Sequence, residues 1–259
     1  MKKIILNTLL SVCLISALFS CGKEKAKMEP EKKKEITFSV AASTKKAIDK
    51  IVEEYSKENP NVEIKINPGG SGALEQQIEG GAPVDIFLSA SKKNMDNLEE
   101  KNLIEKTTRK DLLKNKLVLI GEKEMKGKID SVDQLKTESI KIALGELSTV
   151  PAGKYAKQVF DKLGIWNEVE KKIIYQKDVT AVLNIVDSGE IETGVVYSSD
   201  ALELKNGFVI AVFSDEDHDP IVYPVAIIKD SKNKEAALKF LEYLSSEKAK
   251  NIFKEYGFE

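Results

Sequence analysis

The chain has 259 residues, 42% of them hydrophobic and 32% charged, and its 40 Lys and Arg nearly cancel its 42 Asp and Glu to leave a net charge of −2. That balance describes a soluble globular protein and excludes the basic excess of a nucleic-acid binder. With only two cysteines, Cys13 and Cys21, the chain beyond residue 21 has no disulfide and no thiolate metal site.

Residues 1–21 read as a secretory signal. Lys2 and Lys3 supply the positive start, Ile4 to Phe19 the apolar stretch and Leu18-Phe19-Ser20-Cys21 the cleavage site. The stretch is too short and wrongly flanked for a membrane span. Leu-Phe-Ser-Cys followed by Gly22 resembles a bacterial lipobox, which implies that Cys21 is lipidated and becomes the mature N-terminus. The plainer alternative makes Cys21 an ordinary residue beside a cleavage site. Residues 22–35, rich in Lys and Glu, read as a flexible solvated tether.

Beyond the tether, short β-rich runs alternate with amphipathic segments. Ile36 to Ala42 is extended, and Ala47, Ile48, Ile51, Val52 and Tyr55 then recur at helical spacing. Val62 to Asn67 is strand-like, Leu74 and Ile78 before Gly80-Gly81 suggest a short helix, Asp85 to Ala90 is a third strand and Asn94 to Glu99 a helix. Lys116 to Ile120, Ile140 to Gly145, Lys172 to Tyr175 and Thr193 to Tyr197 repeat the strand pattern, with helices at Ala152 to Leu163 and Val179 to Ser188. Tyr223 to Ile228 is a last strand, followed by helices at Lys234 to Ser245 and Glu247 to Tyr256. The fold class is α/β, sheets covered by helices.

Two α/β units need connections, and candidate crossings lie near Leu113 to Leu117 and near Asp219-Pro220 to Pro224. The expected division is then a first lobe of residues 36–115 plus 223–259 and an inserted second lobe of residues 116–222, with a ligand in the cleft.

Five short loops put serine, glycine or alanine just before a helix start: Ala42-Ser43-Thr44, Gly69-Gly70-Ser71-Gly72, Val150-Pro151-Ala152-Gly153, Asp178-Val179-Thr180 and Tyr197-Ser198-Ser199. Helix N-termini offer unpaired N–H groups and partial positive charge, so several converging on one point make an anion site without a cationic side chain. Taken singly, Ser43 reads better as a helix cap, Ser71 is ambiguous, Ala152 and Val179 carry no side-chain signal, and Tyr197 could be a core aromatic.

The runs VAAST, GGSGALEQQIEGGAPVDIFLSAS, TVPAGKYAKQVFDKLGIW, DVTAVLNIVDSGE and TGVVYSSDA, with YPVAIIKD and IFKEYGF at the end, resemble in order and separation the periplasmic molybdate-binding proteins of ABC importers. The resemblance covers nearly all of the chain past the tether. It implies a two-lobed clamshell of the type II periplasmic-binding-protein fold, each lobe a mixed sheet flanked by helices, which closes over molybdate or tungstate and delivers it to a membrane permease. Carried across, the ligand contacts fall on Ser43 and Ser71 through hydroxyl and N–H, Ala152 and Val179 through N–H, and Tyr197 through its phenol. Molybdenum would be held as the oxyanion and not as a bare cation, with no cofactor, by a monomer anchored outside the cytoplasmic membrane.

A fully deprotonated tetrahedral dianion presents acceptors only, so its cage should be built of donors, and a site without a carboxylate disfavours phosphate, which still carries a proton. None of the five positions is acidic, and Glu146 is expected to face solvent or the hinge. Sulfate or phosphate receptors on the same plan remain the alternative. An enzyme is not expected: the single histidine, His218, falls in the acidic, surface-like run Asp215-Glu216-Asp217-His218-Asp219, and no nucleophile elbow accompanies Ser43.

Overall fold

The computed structural model describes residues 33–136 and 139–259. The signal segment, Cys21 and the tether up to residue 32 lie outside the described residues. In chain order the elements are β1 (Lys34–Ala41), α1 (Lys45–Glu58), β2 (Val62–Gly69), α2 (Ser71–Glu79), β3 (Ile86–Leu88), α3 (Lys92–Glu100), β4 (Lys110–Lys114), β5 (Leu117–Gly121), β6 (Ile142–Gly145) and α4 (Pro151–Lys162). They continue with α5 (Trp166–Val169), β7 (Ile173–Gln176), α6 (Val179–Asp187), β8 (Thr193–Tyr197), α7 (Ser198–Ala201), β9 (Phe208–Val212), β10 (Val222–Ile227), α8 (Lys234–Tyr243) and α9 (Glu247–Glu255).

Among the described residues the strands form two five-stranded sheets, ordered β2-β1-β3-β10-β4 and β7-β6-β8-β5-β9. In the first, β1 runs parallel to β2 and β3, and β10 runs against β3 and β4. In the second, β6 runs parallel to β7 and β8, and β5 runs against β8 and β9. The two sheets thus share one plan, three parallel strands followed by an antiparallel one. The chain leaves the first sheet after Lys114, enters the second at Leu117, and returns through Val222. The half built on the first sheet is called lobe I below and the other lobe II.

Burial explains the layering. Ile36, Phe38 and Val40 of β1 are fully buried, and so is Ser39 between them, as befits a central strand covered on both faces. On one face of this sheet Phe38, Tyr55 and Phe240 make edge-on ring contacts at 5.6 and 5.0 Å. On the other, Leu74, Ile78, Met95 and Leu98 pack with Phe87 and Ala226. In lobe II, Ala156, Val159 and Phe160 of α4 pack with Ile142, Leu144 and Val195, while Val182 and Val186 of α6 pack with Val118, Ala143 and Val196 on the opposite face.

Several expectations need correction. The tether does not reach residue 35: Lys34 and Glu35 pair with Val62 and Glu63 in β1, and Glu35 forms an ion pair with Lys65 at 2.6 Å. Strand pairing outweighed the charged composition there. Two strands, β4 and β9, were not anticipated. In β4 only Leu113 is buried, so alternation is faint. β9 is an edge strand whose Val209 and Val212 remain exposed, and its uniformly apolar run carries no period. Pro224, inside β10, is accommodated where the register with β4 shifts between Tyr223 and Pro224, since proline has no N–H to give a regular ladder.

Candidate functional site

All three parallel strands of each sheet end at one place. Ligands of open α/β sheets collect at the carboxyl ends of such strands, where the chain turns into a helix. From lobe I, β1 leads to Ser43, β2 to Ser71 and β3 to Ala90. From lobe II, β6 leads to Pro151, β7 to Val179, and β8 ends on Tyr197. These residues line one chamber between the lobes, together with Gly70 and Asp178. The chamber is tight, with a volume of ≈ 10 Å³.

Four of the five expected residues, Ser43, Ser71, Val179 and Tyr197, face this chamber. The fifth, Ala152, is fully buried one residue behind the lining Pro151. As the second residue of α4 its N–H has no carbonyl of that helix to bond, and the same holds for Val179 at the start of α6. Pro151 occupies the first position of α4, where its missing N–H costs nothing.

The serines are not helix caps. Ser43 sits in a 3-10 turn, Ala42–Thr44, and its Oγ lies 3.1 Å from Tyr223 Oη, 180 residues away in sequence. It is Thr44 that bonds locally, donating from Oγ1 to Ala41 O at 2.8 Å. Ser71 opens α2, and its Oγ accepts the N–H of Ala90 at 2.9 Å. That bond leaves the Ser71 proton free for another acceptor.

Tyr197 is 1% exposed, and its hydroxyl finds no hydrogen-bond partner among the described residues. Its ring stands edge-on to Tyr223 at 5.8 Å. Burial, with the Tyr223 and Tyr155 phenols nearby, pushes the Tyr197 pKa well above the ordinary phenol value, so it is a neutral donor. A buried O–H without an acceptor is costly and marks a place built for one.

One acid was missed. Asp178 lines the chamber, correcting the expectation of a site free of carboxylate, although its Oδ1 caps α6 by accepting the N–H of Ala181 at 2.8 Å. The signal was available, since Asp178 opens the fourth loop. Glu146 is exposed and not part of the lining. Behind the chamber the buried Asp200 accepts the N–H of Tyr197 at 3.2 Å, and burial raises its pKa to about 7. His218 is not on the surface: it is 8% exposed, with Nδ1 2.8 Å from Asp219 O and its ring 5.8 Å from Tyr155. Among the described residues no cluster of three or more His, Cys, Asp or Glu is placed to hold a metal ion.

The lobes meet directly around the chamber. Gly72 N donates to Thr149 O at 2.8 Å, Tyr155 Oη to Ala90 O at 3.4 Å, and Lys46 of α1 forms an ion pair with Glu203 beyond α7. A neighbouring cavity of ≈ 200 Å³ shares Ser43 and is lined also by Lys46, Asp200 and Glu203.

Comparison with known proteins adds a second line of observation. Residues 36–259 match the family model described as bacterial extracellular solute-binding protein. YvgL of Bacillus subtilis, provisionally named an ABC transporter substrate-binding lipoprotein, is 40% identical over 92% of this chain and 91% of its own. The Haemophilus influenzae molybdate-binding protein ModA is 39% identical over 86% of this chain and 89% of its own. Among solved structures, the substrate-binding domain of a Clostridium difficile ABC transporter provisionally assigned to molybdenum is 44% identical. It covers 87% of this chain and 98% of that one, with a TM-score of 0.67.

Proposed function

The chain belongs to the bacterial extracellular solute-binding proteins, and from that premise we propose that it captures molybdate, or tungstate, between its lobes and hands it to an ABC importer. The observation that carries the reading is the buried, unpartnered Tyr197 hydroxyl at a chamber where Ser71 also has a proton to give. Ser43, Ser71 and Tyr197 would donate through their hydroxyls, and Ala152 and Val179 through N–H groups at the starts of α4 and α6. Such donors suit a guest that carries acceptors alone. The molybdate-binding name of the Haemophilus relative supports this choice over sulfate or phosphate.

Each lobe alone supplies too few donors, so an anion bridging both favours the closed arrangement, and the importer can read closure as loading. No chemical step and no cofactor is needed. Lipidation at Cys21 would hold the protein at the outer side of a membrane, and Cys21→Ser should release it into the soluble fraction.

Calorimetric titration with molybdate, tungstate, sulfate and phosphate tests the assignment. One molybdate or tungstate per chain is expected, with sulfate and phosphate far weaker. A protein that prefers phosphate or sulfate, or takes none of the four, would refute it.

A further inference from the structure

A hydroxyl can give or take a proton, so what Ser43 offers the chamber depends on the direction of the bond it already makes. That direction can be traced from a group with no choice. The N–H of Lys116 can only donate, and it reaches Asn115 Oδ1 at 2.9 Å. The amide oxygen of Asn115 therefore lies at that end, where Ser198 Oγ also donates to it at 2.8 Å. Two N–H groups remain at the other end of the amide. One goes to Ser199 Oγ at 2.8 Å and the other to Tyr223 Oη at 3.3 Å.

Tyr223 Oη thus receives a proton from Asn115 and must place its own. Ser43 Oγ, at 3.1 Å, is the acceptor in hydrogen-bond geometry, since the neighbouring Tyr197 hydroxyl makes no hydrogen bond among the described residues. Ser43 then takes the phenol proton and keeps its own for the chamber it lines. The relay is enclosed, with Asn115 6% exposed and Tyr223 fully buried, so water does not compete for its bonds. Burial holds the Tyr223 pKa well above the ordinary phenol value, so the proton is there to be given.

We infer that Asn115 and Tyr223 are positioning residues that fix the hydrogen-bond direction at Ser43, turning it into an obligate donor and thereby removing one of the acceptors a protonated oxyanion would need. The inference rests on the oxyanion reading above and deepens it. Asn115 lies between β4 and β5, and Tyr223 lies in β10, so the relay starts in the two segments that join the lobes and ends at the guest. Without it, Ser43 could rotate and accept a proton from a hydrogen phosphate.

The test is a double-mutant cycle read by calorimetry with molybdate and with inorganic phosphate, on the wild type, Tyr223→Phe, Ser43→Ala and the combined variant. Phenylalanine keeps the edge-on contacts of the Tyr223 ring with Tyr197 and Phe258 at 5.8 and 5.6 Å. Tyr223→Phe should weaken molybdate binding about tenfold, narrow the molybdate-to-phosphate preference, and add nothing once Ser43 is alanine. Asn115→Ala removes the upstream donor and serves in the same cycle should Tyr223→Phe fold poorly. Additive losses, or an unchanged anion preference in both variants, overturn the relay while leaving molybdate binding intact. A wild type that does not bind molybdate overturns the oxyanion reading itself.

Discussion

The two lobes share a sheet order and a set of strand ends aimed at one chamber, yet they furnish it differently. Lobe I brings serine hydroxyls whose oxygens already accept from the protein, Ser71 from Ala90 N and, by the argument above, Ser43 from Tyr223. Lobe II brings helix starts, fixed by Pro151 in the first turn of α4 and by the Asp178 cap on α6, and adds the Tyr197 phenol. Main-chain donors survive almost any substitution that keeps the helix in place. Hydroxyl donors vanish with one oxygen. One plan thus yields a half that adds two serine hydroxyls to its helix start at Ser71 and a half whose donors are set mainly by backbone geometry.

The largest expected effect lies in that contrast. Each hydrogen bond to a charged group is worth about 1.5–3 kcal/mol, so Ser43→Ala combined with Ser71→Ala should weaken molybdate binding by about 3–6 kcal/mol. Val179→Ala keeps the N–H and should change affinity by less than about 0.5 kcal/mol. Calorimetry on the two variants decides the matter. Equal losses would mean that the lobes do not divide the work in this way.

A second difference concerns buried acids. Asp85 of lobe I accepts from Thr37 N and Ser231 Oγ at 2.8 and 2.6 Å, and Glu75 from Asn94 and Asn97. Asp200 of lobe II has the N–H of Tyr197 at 3.2 Å, and burial raises its pKa from 3.8 to about 7. Between about pH 4 and pH 7 its carboxyl holds a proton when folded that the unfolded chain releases, so its own contribution to stability is undiminished below about pH 4 and is lost as the pH rises to about 7. At about 1.4 kcal/mol per pKa unit the loss is on the order of 4 kcal/mol at most. Asp200→Asn keeps an acceptor for Tyr197 N and should flatten that slope, leaving the variant with the higher Tm at pH 8 and no advantage at pH 4. A variant no more stable than the wild type at pH 8 would show that Asp200 is not under-compensated.

Much of this was legible in the residues. The apolar spacing of Ala47, Ile48, Ile51 and Tyr55 marks α1, and the helix starts before Ser71 and Val179 follow from local loop composition. What escaped was long-range. No local pattern tells that Ser43 meets Tyr223 and not its own helix, that Asn115 orients Tyr223, or that an acidic run folds so as to bury His218. Asp178 is visible in the fourth loop, but an Asp just before a helix start reads first as its cap, which it also is. Side-chain partners 100 or more residues apart are fixed by strands that distant parts of the chain bring into one sheet, as β1 and β10 are, and periodicity describes one element at a time.

The smallest expected effect separates contacts within a lobe from contacts between lobes, using two glycines at equivalent places, Gly153 in the first turn of α4 and Gly72 in that of α2. A Cβ on Gly153 would stand 1.9 Å from Gly145 O inside lobe II, so Gly153→Ala must displace β6 or α4. It should lower stability by about 1–3 kcal/mol with or without ligand, as overpacking does. A Cβ on Gly72 would stand 2.8 Å from Thr149 Cα in the opposite lobe. That clash is relieved by letting the lobes part, at the expense of the bond from Gly72 N to Thr149 O. Gly72→Ala should therefore leave the ligand-free Tm nearly unchanged. The loss of one hydrogen bond from the closed form, about 0.5–1.5 kcal/mol, should appear instead as weaker molybdate binding and as less compaction on binding in solution scattering. If Gly72→Ala lowers the ligand-free Tm as far as Gly153→Ala does, the lobes are welded together and closure is not what the anion drives.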